Sequence, residues 1–151
     1  MSKLNPIFCS IDQLFTSCDN DYNELKNQAI NIEWLSIYSN QRIVNSFLFN
    51  YIKIQDKIGA KLFRTLLLEL KEIDDLSIPM IDILHILEKL NILTDTDQWE
   101  RLREIRNLIA HEYPSDISEC IENIQLALKG YVILKTLFNN IKDYVASKNL
   151  S

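Results

Sequence analysis

Two glycines and three prolines in 151 residues are too few for a chain built of tight turns. Sheet proteins need many such turns, and the turns draw on glycine and proline for their backbone angles. The shortage predicts an all-α fold: an up-and-down bundle of about five helices with short connections. Hydrophobic residues make up 47% of the chain and charged residues 25%, a globular balance. The length fits one domain over residues 1–151 with a core of its own.

Hydrophobic periodicity places the helices. A first helical stretch is expected from about residue 7 to residue 37, with a possible break near Cys18, Asp19 and Asn20. Its later half puts Leu25, Ile32 and Leu35 near one face, with Trp34 and Tyr38 beside them. The second helix has the clearest stripe: Phe47, Tyr51, Ile54, Ile58, Leu62, Leu66 and Leu70. Ser77, Ile78 and Pro79 restart the chain, and a shorter third helix follows to about Leu90. Asp95 followed by Gln98 resembles a capping box, so a fourth helix should start near Trp99. It should end near His111, because Pro114 pushes Tyr113 away from helical geometry. Asp116 and Glu119 form a second cap-like pair. A fifth helix then carries Ile117, Ile121, Ile124, Leu128, Tyr131, Leu134, Phe138, Ile141 and Val145.

The formal net charge of −5 argues against a protein that coats nucleic acid by charge alone. It leaves room for a small local basic site. Cys9, Cys18 and Cys120 are odd in number and form no CxxC pair, so neither a disulfide framework nor a zinc site is expected. No stretch reaches the roughly 18 apolar residues of a membrane span, and the N-terminus has no basic region followed by an apolar run. The expectation is a cytoplasmic protein without a membrane partner.

The fourth helix carries the chemistry. At about 100° per residue, Trp99, Leu102, Ile105, Leu108 and Ile109 fill one half of the wheel. Asn107 and His111 stack together on the other half. Arg106 falls at the edge of the apolar arc, where it must find a carboxylate, another anion or an interface. On an ideal wheel it stands about 140° from His111, so one straight helix does not present the two together.

Here the sequence resembles a known family. Arg106 to Tyr113 reads RNLIAHEY, which matches the Arg-x4-His-x-Tyr pattern of HEPN domains of the HepT class. Residues 51–64, YIKIQDKIGAKLFR, look like the upstream helix of HepT-like proteins, and the helical plan extends the resemblance over most of the chain. The resemblance implies a metal-independent endoribonuclease toxin of a toxin–antitoxin pair, acting as a homodimer and needing no cofactor. The RNA's own 2′-hydroxyl would attack the adjacent phosphodiester and leave a 2′,3′-cyclic phosphate. Such chemistry needs a proton carrier near neutral pH, the role of His111. It also needs a cation for the phosphorane charge, the role of Arg106. Asn107 would orient His111 or the phosphate. The resemblance further implies an MNT-type nucleotidyltransferase as antitoxin, with Tyr113 as the residue it adenylylates.

Plainer roles exist for each residue. Arg106 can pair with Glu104 or a distant carboxylate, His111 can favour a helix C-terminus, and Tyr113 can pack before a turn. His85, among Ile81, Leu84 and Leu87, reads as a partly buried structural histidine. Lys53, Lys57, Lys61 and Arg64 can line an RNA cleft or form a solvent face broken by Asp56. The alternative function is a non-catalytic HEPN-fold subunit that docks and regulates a nucleotidyltransferase.

Overall fold

The computed structural model describes residues 2–110 and 116–148, and every regular element in them is helical. The order is α1 (Leu4–Leu25), a single turn α2 (Ile32–Leu35), α3 (Tyr38–Lys57), a π-helical segment (Ile58–Leu62), α4 (Phe63–Glu69), α5 (Met80–Lys89), α6 (Thr96–Ala110) and α7 (Ile117–Ser147). Buried hydrophobics from these helices form one core.

Side-chain pairs give the helix directions. Asp19 meets Lys135 and Asp12 meets Lys142, so α1 and α7 run antiparallel. Asp21 meets Ser46 and Ser10 meets Lys57, which makes α1 antiparallel to α3. Asp56 meets Arg106 while Gly59 lies against Trp99, so α3 and α6 are also antiparallel. The four rods α1, α3, α6 and α7 therefore alternate up and down, as the shortage of turn residues predicts.

The first helix departs from expectation. It runs unbroken through Cys18, Asp19 and Asn20 and stops at Leu25. Asp19 does not break it, because its side chain is engaged across the core by the Tyr131 hydroxyl at 2.6 Å and Lys135 Nζ at 2.7 Å. The true break is the polar stretch at residues 26–31. There Asn31 caps α2 by accepting from the Trp34 backbone N–H at 2.8 Å. Leu25 and Leu35 are buried, but Ile32 and Tyr38 lie on the outside.

The second stripe is buried from Phe47 through Leu66, and its spacing explains the π segment. From Ile54 to Leu70 the apolar residues recur every four positions. In a regular α-helix each step of four overshoots a full turn by about 40°, so four steps would rotate the stripe by about 160° out of the core. The wider π turn takes up much of that drift and keeps Ile58, Leu62 and Leu66 inward.

Both α4 and α5 end without glycine. Lys71 and Asn91 take the left-handed conformation at φ 61° and 62°. Behind them Glu72 N–H reaches Leu67 O and Ile92 N–H reaches Leu87 O, each at 2.9 Å, satisfying the last carbonyls. Pro79 stands immediately before α5, and Asp95 Oδ1 accepts from the Gln98 N–H at 2.7 Å before α6 gets under way. Asp116 caps α7 through Ser118 N–H at 2.9 Å.

Candidate functional site

Helices α3 and α6 meet over the π segment, and this junction positions the site. Gly59 lies so close to the Trp99 indole that an added Cβ would stand 3.0 Å from Cζ2. Trp99 also packs edge-on to Phe63, with ring centroids 4.7 Å apart. One turn before Gly59 the side chain of Asp56 points across to α6. Its Oδ1 accepts from Arg106 Nε at 3.0 Å and its Oδ2 from Nη2 at 2.9 Å. Arg106 thus finds the carboxylate that its place on the helix demands, from a residue fifty positions away rather than from Glu104.

The pair is not an interior salt bridge. The Arg106 side chain is 29% exposed and that of Asp56 51%. Hydrogen bonding to Asp56 holds the guanidinium still more firmly in its charged form, against a smaller opposing effect of desolvation. Side-on pairing uses Nε and Nη2, and Nη1 has no partner among the described residues.

Arg106 and Asp56 stand at a surface cleft of about 460 Å³. Gln55, Gly59, Ala60, Met80 and Trp99 line it, and Asn107 lies beside Arg106. Two further cations reach it. Arg103 pairs with Glu100 at 3.1 Å, and Arg64 donates through Nη1 to the carbonyls of Leu76, at 2.9 Å, and Ile78. Arg64 thereby pins the strap between α4 and α5 to the cleft wall.

Gln55 is the feature that sequence reasoning missed. It is 2% exposed, and neither Nε2 nor Oε1 has a hydrogen-bond partner. A buried unpaired amide costs on the order of 1–3 kcal/mol per polar group. The signal was present: Gln55 stands four residues after Tyr51, a polar residue at a core position of the stripe.

The structure brings Arg106 and Asn107 to one cleft. His111 and Tyr113 lie outside the described residues. The lysine row does not form a single RNA-facing surface. Lys57 donates to Ser10 on α1, Lys53 lies over the Phe49 ring, and Arg64 alone lines the Arg106 cleft. His85 is exposed rather than partly buried, because α5 turns Ile83, Leu84 and Leu87 to the core and leaves Ile81 outside with it. Leu108, expected within the apolar arc of α6, is 39% exposed. Cys9 is exposed, Cys18 buried and Cys120 half-buried, and all three are free thiols. No group of three or more His, Cys, Asp or Glu among the described residues is placed to hold a metal ion, and no described helix is long and apolar enough to cross a membrane.

No family model, curated protein or solved structure matches the chain.

Proposed function

We propose that the chain is a HEPN-type endoribonuclease, the toxin of a toxin–antitoxin pair, with Arg106 as its phosphate-binding residue. The observation that carries this reading is the state of Arg106. Its guanidinium is held by one edge, charged and part-exposed, at the mouth of an open cleft beside Asn107. A carboxylate gripping Nε and Nη2 fixes the plane of the guanidinium and leaves the Nη1 end to meet a phosphate oxygen. The motif RNLIAHEY supplies His111 five residues further on.

In the proposed reaction a 2′-hydroxyl gives up its proton as its oxygen bonds to the adjacent phosphorus. The 5′-oxygen leaves with a proton, and a 2′,3′-cyclic phosphate remains. His111 carries the proton, Arg106 neutralises charge on the phosphoryl oxygens, and Asn107 orients one of them. The protein would act as a homodimer, bringing two copies of the motif to one cleft across a two-fold contact. An MNT-type nucleotidyltransferase would neutralise it by adenylylating Tyr113.

The Arg106–Asp56 contact also favours a second reading. A non-catalytic subunit that docks a nucleotidyltransferase would use the pair simply to tie α6 to α3. Purified protein incubated with RNA separates the two. The ribonuclease reading expects cleavage that leaves cyclic-phosphate ends and falls by about 10²–10³ in Arg106→Ala, with a comparable loss in His111→Ala. Intact RNA after incubation with folded wild-type protein favours the docking subunit.

A further inference from the structure

We infer that the cleft between α3 and α6 is a nucleobase pocket in which the Gln55 carboxamide reads the edge of an adenine. The inference rests on the ribonuclease reading for its biological setting and on Gln55 for its physics. An amide that is 2% exposed and unpaired at both Nε2 and Oε1 is the kind of buried group that native proteins rarely leave unsatisfied. Leucine or methionine would fill the same core position without exacting that cost. A partner missing from the free protein, with a donor beside an acceptor, accounts for a glutamine there.

The surroundings narrow the chemistry of that partner. The cleft offers about 460 Å³, within the usual range for a small-molecule site. Its walls at Gly59, Ala60, Met80 and Trp99 are apolar and suit a flat aromatic ring. Met80 is the pliable wall, able to shift as a ring enters. At the mouth, Arg106 presents its Nη1 end to an anion. An anion joined to a flat ring with hydrogen-bonding edges describes a nucleotide. Among the bases, adenine presents the N6 donor beside an N7 acceptor, and a glutamine amide meets both at once. Gln55 and Asp56 are consecutive, so the amide and the carboxylate that orients Arg106 are adjacent. Base and phosphate of one nucleotide can therefore be held together.

The test is titration of the full-length protein with the 3′-monophosphates of adenosine, cytidine, guanosine and uridine, followed by calorimetry or NMR. Inorganic phosphate serves as the probe for the anion site alone. Adenosine 3′-monophosphate should bind about tenfold tighter than the uridine form. That preference should disappear in Gln55→Leu and in Gln55→Met, two variants that should melt no lower than wild type. Equal affinity for all four nucleotides, or a preference that survives both substitutions, overturns the pocket. Sequencing of cleaved RNA ends separates this inference from the reading beneath it. Cleavage without base preference sinks the pocket and leaves the ribonuclease standing. Gln55-dependent adenine binding by a protein that cuts no RNA sustains the pocket and sinks the ribonuclease.

Discussion

Asp56 and Arg106, fifty residues apart, meet side-on across α3 and α6, with two hydrogen bonds of 3.0 and 2.9 Å fixing the plane of the guanidinium. Asp56 reads in the sequence as an interruption in a row of basic residues. In the structure it is the residue that aims the cation.

Replacing Asp56 should therefore damage activity more than stability. Both partners are substantially exposed, and such pairs contribute about 0–1 kcal/mol to folding. Asp56→Asn should shift the unfolding free energy by no more than that. RNA cleavage should fall roughly 10–100-fold, the loss usual when the support of a working residue is removed. Denaturation curves alongside cleavage assays measure both. A variant that cleaves faster than wild type would mean that Asp56 blocks Arg106 rather than orienting it.

Tyr51 and Gly130 provide a test of the core. A Cβ on Gly130 would stand 2.7 Å from the Tyr51 hydroxyl and 3.1 Å from Ile105 Cδ1. That hydroxyl is buried without a hydrogen-bond partner. Gly130→Ala should destabilise by about 1–3 kcal/mol through overpacking. Tyr51→Phe should be neutral or stabilising, because it removes an unsatisfied polar group. The double variant should recover part of the Gly130→Ala loss, since the closest clashing atom is then gone. Additive effects in a double-mutant cycle would refute the contact.

Alkaline pH should unfold the protein by a definable route. Burial, reinforced by Asp21, pushes the Cys18 thiol up to about 12. Burial also raises the Tyr51 and Tyr131 phenols, and Tyr131 is raised further by its hydrogen bond to Asp19. All three stay protonated in the folded state while the unfolded chain begins to lose protons near pH 9 to 10. Their contribution to stability is complete below pH 9 and is lost as pH rises towards 12. Each group ionised only on unfolding removes about 1.4 kcal/mol per pH unit. Urea midpoints should thus fall steadily above pH 9, and midpoints constant from pH 9 to 11 would contradict the burial of these groups.

Tyr113 is the expected control point. Co-expression with the cognate nucleotidyltransferase should add one or more AMP units to wild type and none to Tyr113→Phe, as read by intact mass spectrometry. Loss of RNA cleavage should accompany the mass gain, because a phosphate beside Arg106 competes for the guanidinium. Equal mass gain and equal neutralisation of Tyr113→Phe would place the control elsewhere.

Much of the fold was legible in the chain. The stripes of α3 and α7, the caps at Asp95 and Asp116 and the restart at Pro79 are local signals, and each corresponds to a feature of the structure. What escaped depends on contacts distant in sequence. Periodicity could not tell that Asp19 would stay helical, because its partners Tyr131 and Lys135 lie more than a hundred residues away. His85 misled because Ile81 looked like core and is not. For the site, the wheel required an anion for Arg106 but could not choose between Glu104 and Asp56. Gln55 was readable as a polar residue on an apolar stripe and was passed over for the charged residues around it.

The wide turn at Ile58–Leu62 bears on how the chain can change length. Deleting one residue there would restore ordinary winding and swing everything beyond it by about 100° relative to Asp56. Leu66 and Leu67 would leave the core, and Arg64 would release the carbonyls of Leu76 and Ile78 that it now holds. A residue gained or lost at positions 26–31 lies outside any helix and rotates no stripe. Insertions and deletions should therefore be tolerated in that linker and purged from the π turn, even where every hydrophobic residue is kept.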